Sequence, residues 1–81
     1  MKKFIAVYLE NEISCYISIE DIYTLKIKKD KDFNSDNDVF YIVAFEKVSE
    51  DYDDCWVLSP QIDSYDQAYL FLSSLIEKIN G

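Results

Sequence analysis

The sequence predicts an α+β fold, a mainly antiparallel sheet of about five strands with one C-terminal helix packed on one face. Three observations predict it. Apolar and polar residues alternate with period two through several segments up to Leu58, which is typical of strands. From Tyr65 onward the apolar residues follow a helical spacing instead. Only one Gly and one Pro interrupt 81 residues that are 49% hydrophobic, so we expect a single folded domain over residues 1–81.

The N-terminal part of the chain predicts three strands. Residues 3–9 are rich in β-branched and aromatic side chains, and the polar residues 10–12 are suited to a tight hairpin. Residues 13–19 alternate, which predicts a strand with one buried face formed by Ile13, Cys15, Ile17 and Ile19. After a short break, residues 22–29 alternate again.

The longest predicted strand covers residues 39–48 and is apolar on both faces. One side consists of Val39, Tyr41, Val43 and Phe45, and the other consists of Phe40, Ile42 and Ala44. Polar and acidic loops flank it at 30–38 and 49–54. Because one helix covers only one face of a sheet, we expect the second apolar face to contact a partner, either another copy or a different protein.

The C-terminal part predicts a short strand and then the helix. Residues 55–58 form the strand, which Pro60 ends because proline has no amide hydrogen to donate. Ser64 is a helix N-cap, and Gln67 completes a capping box. The helix spans 65–79, with Leu70 opposite its apolar stripe. That stripe consists of Tyr65, Ala68, Tyr69, Leu72, Leu75, Ile76 and Ile79.

The charge balance excludes several classes of partner. Sixteen acids face eight lysines, with no Arg and no His, which gives a net charge of −8. Residues 1–31 carry a net charge of +1, whereas residues 32–81 carry −9. Binding to phosphates requires Lys or Arg, so we expect neither direct nucleic-acid binding nor membrane binding. A field of this sign favours a basic protein partner.

Catalysis and cofactor binding are not expected. The chain lacks His for acid–base work, Arg for an anion clamp and a glycine loop for phosphates. The segment 32–38 begins like a calcium-binding EF-hand loop. However, Asn37 replaces the required Gly, and Val43 replaces the bidentate Glu. We therefore predict no metal site and no cofactor, and a solvated loop at 30–38.

The acids of residues 32–81, with Asp30, form the candidate partner-binding surface. Acids two residues apart on extended backbone lie about 6.6–6.8 Å apart, close to twice the phosphate rise of one DNA strand. We expect the two acidic loops to lie at one end of the sheet beside the helix N-terminus, with Phe33, Tyr52 and Tyr65 interleaved. The predicted partner-binding residues are Asp30, Asp32, Asp36, Asp38, Glu46, Glu50, Asp51, Tyr52, Asp53, Asp54, Asp63 and Asp66.

Cysteine usage and codon bias predict the compartment. Cys15 and Cys55 are expected to be buried free thiols. The apolar run at residues 4–9 is too short for the core of a signal peptide. Exclusive use of Lys, with abundant Ile, Asn, Asp and Tyr, indicates an AT-rich genome. We therefore expect the protein to act in the cytoplasm of a bacterial host.

The chain resembles the small acidic inhibitors carried by phages, above all the anti-CRISPR proteins. The resemblance rests on length, on Lys-only basic usage, on the acid clusters at 30–38 and 46–54, and on the sheet-plus-helix plan. It implies a stoichiometric binder that blocks the basic channel of a CRISPR effector or another nuclease without chemistry. Two alternatives stay open: an immunity protein against a basic toxin, and a structural homodimer of a phage or mobile element that associates through the second sheet face.

Overall fold

The computed structural model describes residues 3–32, 34–45 and 55–81 and has the predicted α+β architecture. Its strands are β1 (Phe4–Leu9), β2 (Glu12–Ser18), β3 (Thr24–Lys31), β4 (Asp38–Phe45) and β5 (Cys55–Val57). A short 3₁₀ helix, Ile19–Asp21, separates β2 from β3, and the C-terminal helix α1 spans Tyr65–Asn80. Within the described chain no helix is long and apolar enough to span a bilayer.

The strands form two antiparallel sheets rather than one. β1 pairs with β2, and β3, β4 and β5 pair in that order. β1 and β5 lie next to each other, so the spatial order is β2, β1, β5, β4, β3. The described part of β5 is only three residues long, and it forms its ladder with β4. So short a strand offers β1 little backbone for hydrogen bonding. The predicted single sheet is therefore divided at the contact between β1 and β5.

The β1–β2 connection is the predicted tight hairpin. Glu10 and Asn11 both adopt left-handed backbone conformations, with φ of 51° and 68°, as a two-residue turn requires. The register shifts between Val7 and Tyr8, so that Val7 pairs with Cys15 but Tyr8 pairs with Ile13. This bulge takes Ile13 out of the predicted line with Cys15 and Ile17, and Ile13 is exposed.

The predicted burial of the two thiols is wrong for Cys15. Cys15 is exposed, whereas Cys55 is half-buried. Cys15 lies on β2, whose residues are all exposed or half-exposed. The reason is positional: β2 is the outer strand of a two-stranded ribbon, and β1 supplies the buried side chains Ile5 and Val7.

The core lies around β4, and the chain itself buries both of its faces. Ile42 and Ala44 join the main core cluster with Ile5, Leu58 and Ala68. On the other face Val39, Val43 and Phe45 are also fully buried. The sequence interpretation that this second face is an open surface for a partner, or for a homodimer, is therefore wrong.

The helix begins and ends as predicted, but its buried face is shifted. The Ser64 hydroxyl accepts a hydrogen bond from the Gln67 amide at 3.2 Å, and Gly81 N–H donates to the Glu77 carbonyl at 2.7 Å. Ala68 and Leu75 are buried, whereas Leu70 is exposed as predicted. Three members of the predicted stripe are instead exposed at its edge, and Phe71 packs on the core in their place. The exposed members are Tyr65, Tyr69 and Ile76.

Candidate functional site

Three connections of the chain meet at one end of the molecule, and Gln61 links them. The Gln61 backbone N–H donates to Asn11 Oδ1 in the β1–β2 turn, at 2.7 Å. The Gln61 side chain also lies near the Asp32 carboxylate in the β3–β4 turn, where it slightly lowers the pKa of that carboxyl. Beside it, the rings of Phe40 and Tyr65 meet edge to face with centroids 5.9 Å apart, which places the start of α1 next to the start of β4.

We call this region the acidic end and define it as residues 10–12, 29–32, 34–38 and 61–66. It holds eight carboxylates and two lysines, a net charge of −6. The remaining described residues hold four lysines and three carboxylates, a net charge of +1. The carboxylates of the acidic end are Glu10, Glu12, Asp30, Asp32, Asp36, Asp38, Asp63 and Asp66.

Asp32 organises the β3–β4 turn. Its carboxylate accepts hydrogen bonds from the Asn34 N–H at 3.1 Å and from the Ser35 hydroxyl at 3.0 Å. Its backbone N–H donates to the Asn37 carbonyl at 2.9 Å. These bonds hold the carboxyl pKa of Asp32 below its ordinary value, with the Asn34 amide as the largest cause and the Ser35 hydroxyl next. The segment predicted as a solvated loop is therefore a hydrogen-bonded turn.

Asp38 lies in an ion-pair cluster with two lysines of β3. Its carboxylate oxygens are 3.0 Å from Lys31 Nζ and 3.3 Å from Lys29 Nζ. The register explains the contact, because Lys31 pairs directly with Asp38 at the end of the β3–β4 ladder. The sequence interpretation placed Asp30 and Asp38 in a loop, but both are strand residues. Much of the Asp38 charge is compensated within the chain.

The Asp38 cluster predicts a measurable titration. The hydrogen bond from Lys31 is the main cause that holds the Asp38 pKa below its ordinary value of 3.8, with Lys29 contributing less. Because the pKa is lower in the folded chain, the cluster stabilises the fold above about pH 4 and this contribution is lost as pH falls through the folded pKa. Carboxyl NMR should show an Asp38 midpoint below 3.8, and Lys31→Met should raise it.

Lys78→Met is the control for this titration, because Lys78 lies in the last turn of α1, away from Asp38. It should leave the Asp38 midpoint unchanged. An Asp38 midpoint at or above 3.8 in the unmodified chain would contradict the ion-pair assignment.

Asp30 and Asp32 face the other side of the sheet, near Tyr41. They are two residues apart on β3 and its extension, so their side chains share a face. Burial raises the pKa of the Tyr41 hydroxyl, and the charges of Asp30 and Asp32 raise it further. Beside Tyr41 lies a cleft of about 360 Å³. It is lined by Tyr8, Leu9, Glu10, Asn11, Tyr41, Val57, Ser59 and Gln61.

The structure separates the other predicted site residues into three groups. Asp63 and Asp66 are exposed on either side of the N-cap Ser64 and belong to the acidic end. Asp36 has a left-handed φ of 55°, so it does not form the predicted extended pair with Asp38. The remaining predicted residues lie outside the described part of the chain. They are Glu46, Glu50, Asp51, Tyr52, Asp53 and Asp54.

The two residues that flank the segment 46–54 lie at the end of β4 away from the β3–β4 turn. Phe45 and Cys55, which flank the segment 46–54, pair with each other at the end of β4 opposite to Asp38. Successive connections in an antiparallel sheet leave from alternate ends of a strand. The grouping of the two loops beside Asp63 and Asp66 did not take this alternation into account; because the segment 46–54 lies outside the described residues, it stays a prediction.

Sequence reasoning also missed residues that shape the acidic end. Asn11 and Gln61 tie its turns together, and Tyr8 and Tyr41 line its cleft. An Asn in a two-residue hairpin turn was a readable signal, because Asn tolerates the left-handed conformation. The contact with Gln61 joins residues 50 positions apart and had no local signal.

Neither metal-binding geometry nor similarity to known proteins adds to this description. Among the described residues no group of three or more His, Cys, Asp or Glu side chains is arranged to hold a metal ion. Comparison with protein-family models, with curated proteins and with solved structures finds no match to this chain.

Proposed function

We propose that this chain is a non-enzymatic inhibitor whose acidic end occupies a basic, nucleic-acid-binding site of a partner protein. The observation that carries the proposal is the segregation of charge. The acidic end has a net charge of −6, whereas the other described residues together have +1. A surface of high negative charge raises association rates with a cationic site.

The geometry supports a binding surface rather than a set of charges that only keeps the protein in solution. Asp32 is held by hydrogen bonds, and Gln61 fixes two turns relative to each other. Such a surface loses little conformational entropy on binding. The lining of the neighbouring cleft includes the aromatic rings of Tyr8 and Tyr41 and the carboxylate of Glu10, groups that attract a lysine or arginine of the partner.

The proposed mechanism is competition, without a chemical step. Carboxylates of the acidic end pair with the lysines and arginines that otherwise bind phosphates, so nucleic acid and inhibitor exclude each other. A CRISPR effector or another nuclease is the partner class that this mechanism implies. An immunity protein against a basic toxin would use the same surface, so the identity of the partner distinguishes the two.

The test compares two triple variants with the same change in net charge. In the first, Asp36→Asn, Asp63→Asn and Asp66→Asn neutralise exposed carboxylates of the acidic end. In the second, Glu20→Gln, Asp21→Asn and Glu77→Gln neutralise exposed carboxylates elsewhere. Each chain is immobilised, exposed to bacterial lysate, and washed at increasing salt. Asp32 and Asp38 are left intact because they also hold the fold together.

We expect the unmodified chain and the second variant to retain a basic nucleic-acid-binding protein. The first variant should associate with it at least about tenfold more slowly, because electrostatic steering contributes 10- to 1000-fold to such rates. Added DNA should displace the partner, and salt should release it as the Debye length falls from about 8 Å to about 3 Å. Equal retention by both variants, or binding unaffected by DNA, would refute the proposal.

A further inference from the structure

The cleft of about 360 Å³ beside Tyr41 combines aromatic rings with a carboxylate. The rings are those of Tyr8 and Tyr41, and the carboxylate is that of Glu10. The faces of aromatic rings attract cations, and a carboxylate supplies the opposite charge. No lysine lines the cleft among the described residues, and the chain contains no arginine. Within the described chain the cleft therefore attracts a cation without supplying one.

The charge around this cleft is negative. Burial raises the pKa of the Tyr41 hydroxyl, and the nearby charges of Asp30 and Asp32 raise it further. Lys28 lies opposite Tyr41 in the β3–β4 ladder and shares its face of the sheet. Together with Glu10, these neighbours are three carboxylates and one lysine, a net charge of −2. A cation in the cleft is therefore stabilised by the surrounding charge.

Hydrogen bonds hold the lining of the cleft in place. The lining comes from β1 and its turn, from β4, and from β5 with the residues that follow it. Asn11 Oδ1 accepts the Gln61 N–H at 2.7 Å, which joins the first of these to the last. The Ser59 hydroxyl accepts the Ile42 N–H at 3.0 Å, which joins the last to β4. Because these bonds form before any ligand enters, little conformational entropy is lost on binding.

The lining suits an arginine side chain better than a lysine. A guanidinium group is planar, stacks on aromatic rings and carries five N–H donors, whereas an ammonium group is a compact and strongly hydrated charge. The apolar stem of an arginine packs on apolar surface, and Leu9 and Val57 provide it. Leu9 is 67% exposed, so a stem that covers it removes apolar surface from water.

We propose that this cleft receives one arginine side chain of the partner protein, with the guanidinium against the tyrosine rings and paired with Glu10. The inference rests on the proposed function, because it takes the partner to be a basic protein. It adds that a single seated arginine, and not only distributed charge, anchors the acidic end. Seated arginines are frequent among the few residues that dominate the binding energy of an interface.

A titration of the chain alone with a blocked arginine, N-acetyl-arginine N-methylamide, tests the site. The citrulline analogue has the same shape without the charge, and the lysine analogue has the charge without the planar group. NMR of the Tyr8 and Tyr41 rings and of the Gln61 amide follows binding. We expect the arginine probe to shift these signals and to bind at least about fivefold more tightly than the citrulline analogue, with the lysine analogue between the two.

Two substitutions separate the cleft from the general charge of the chain. Glu10→Gln keeps the shape of the side chain, and Tyr41→Leu keeps an apolar side chain in the sheet. Each should weaken binding of the arginine probe about threefold or more. The matched controls are Glu20→Gln and Tyr69→Leu, at exposed positions outside the cleft, and they should leave binding unchanged.

The protein retained from lysate provides a second measurement. Tyr41→Leu should speed its dissociation about threefold or more and leave its association rate unchanged, because loss of a seated contact acts on dissociation whereas loss of steering charge acts on association. Equal binding of the arginine and citrulline analogues, a lysine analogue that binds as tightly as arginine, or equal effects of the Glu10 and Glu20 substitutions would overturn the inference.

The two proposals fail in different ways. A probe that does not bind removes the cleft site alone, since the titration uses no partner, and the charge-based competition is still measured by the two triple variants. Retention of no basic protein from lysate refutes the proposed function and, with it, the assignment of the arginine to a partner.

Discussion

Leu58→Ala is expected to lower the free energy of unfolding by about 3–5 kcal/mol. Leu58 is 1% exposed and packs in the core cluster with Ile42, Ala44 and Leu75. Its removal loses the transfer free energy of the side chain and leaves a cavity that a close-packed core fills only partly. Because the core of so small a domain contributes only about 3–5 kcal/mol of net stability, we expect the variant to be largely unfolded at 25 °C.

Leu70→Ala is the matched control for this substitution. It removes the same atoms at a position that is 67% exposed on α1. Alanine also favours helix, so stability should change by no more than about 0.5 kcal/mol. Urea unfolding followed by circular dichroism measures both variants. Similar losses at the two positions would mean that Leu58 is not part of the core as described.

Ser59→Ala is expected to cost about 1–3 kcal/mol, although it removes only one oxygen. Ser59 is buried, and its hydroxyl accepts the Ile42 N–H at 3.0 Å and donates to the Pro60 carbonyl at 2.9 Å. β5 ends at Val57, and beyond it the Ser59 side chain continues the ladder with β4. Without the hydroxyl the Ile42 amide is buried and unsatisfied in the central strand.

Ser74→Ala is the control for Ser59, since Ser74 is exposed on α1. Its stability should stay within about 0.5 kcal/mol of the unmodified chain. Hydrogen exchange adds a local measurement: the Ile42 amide should lose protection in Ser59→Ala and keep it in Ser74→Ala. An Ile42 amide that stays equally protected in both variants would show that another group accepts its hydrogen bond.

The helix and strands could be predicted from local patterns, because each element has a characteristic spacing of apolar residues. The alternation of residues 22–29 and the Ser64 cap predicted β3 and the start of α1 to within about two residues. The hairpin at Glu10 and Asn11 was likewise local, since a two-residue turn selects residues that tolerate positive φ. The β2 bulge, in which Ser14 is the extra residue between Ile13 and Cys15, was not readable, because one extra residue in a strand leaves the apparent alternation intact.

The candidate site was only partly predictable. The sequence identified Asp30, Asp32, Asp63 and Asp66 as acids of one surface, and the fold brings them to one end of the molecule. It did not reveal that Asp38 pairs with Lys29 and Lys31, because that contact depends on the register of β3 against β4.

By itself the sequence determined the α+β class, the helix and the excess of carboxylates. These follow from residue type and spacing, which act over a few positions. Tertiary structure alone decided the division into two sheets, the burial of both faces of β4, and the grouping of three turns around Gln61. The reason is physical: such features depend on contacts between residues distant in sequence, and those contacts are fixed only when strands pair and the core closes.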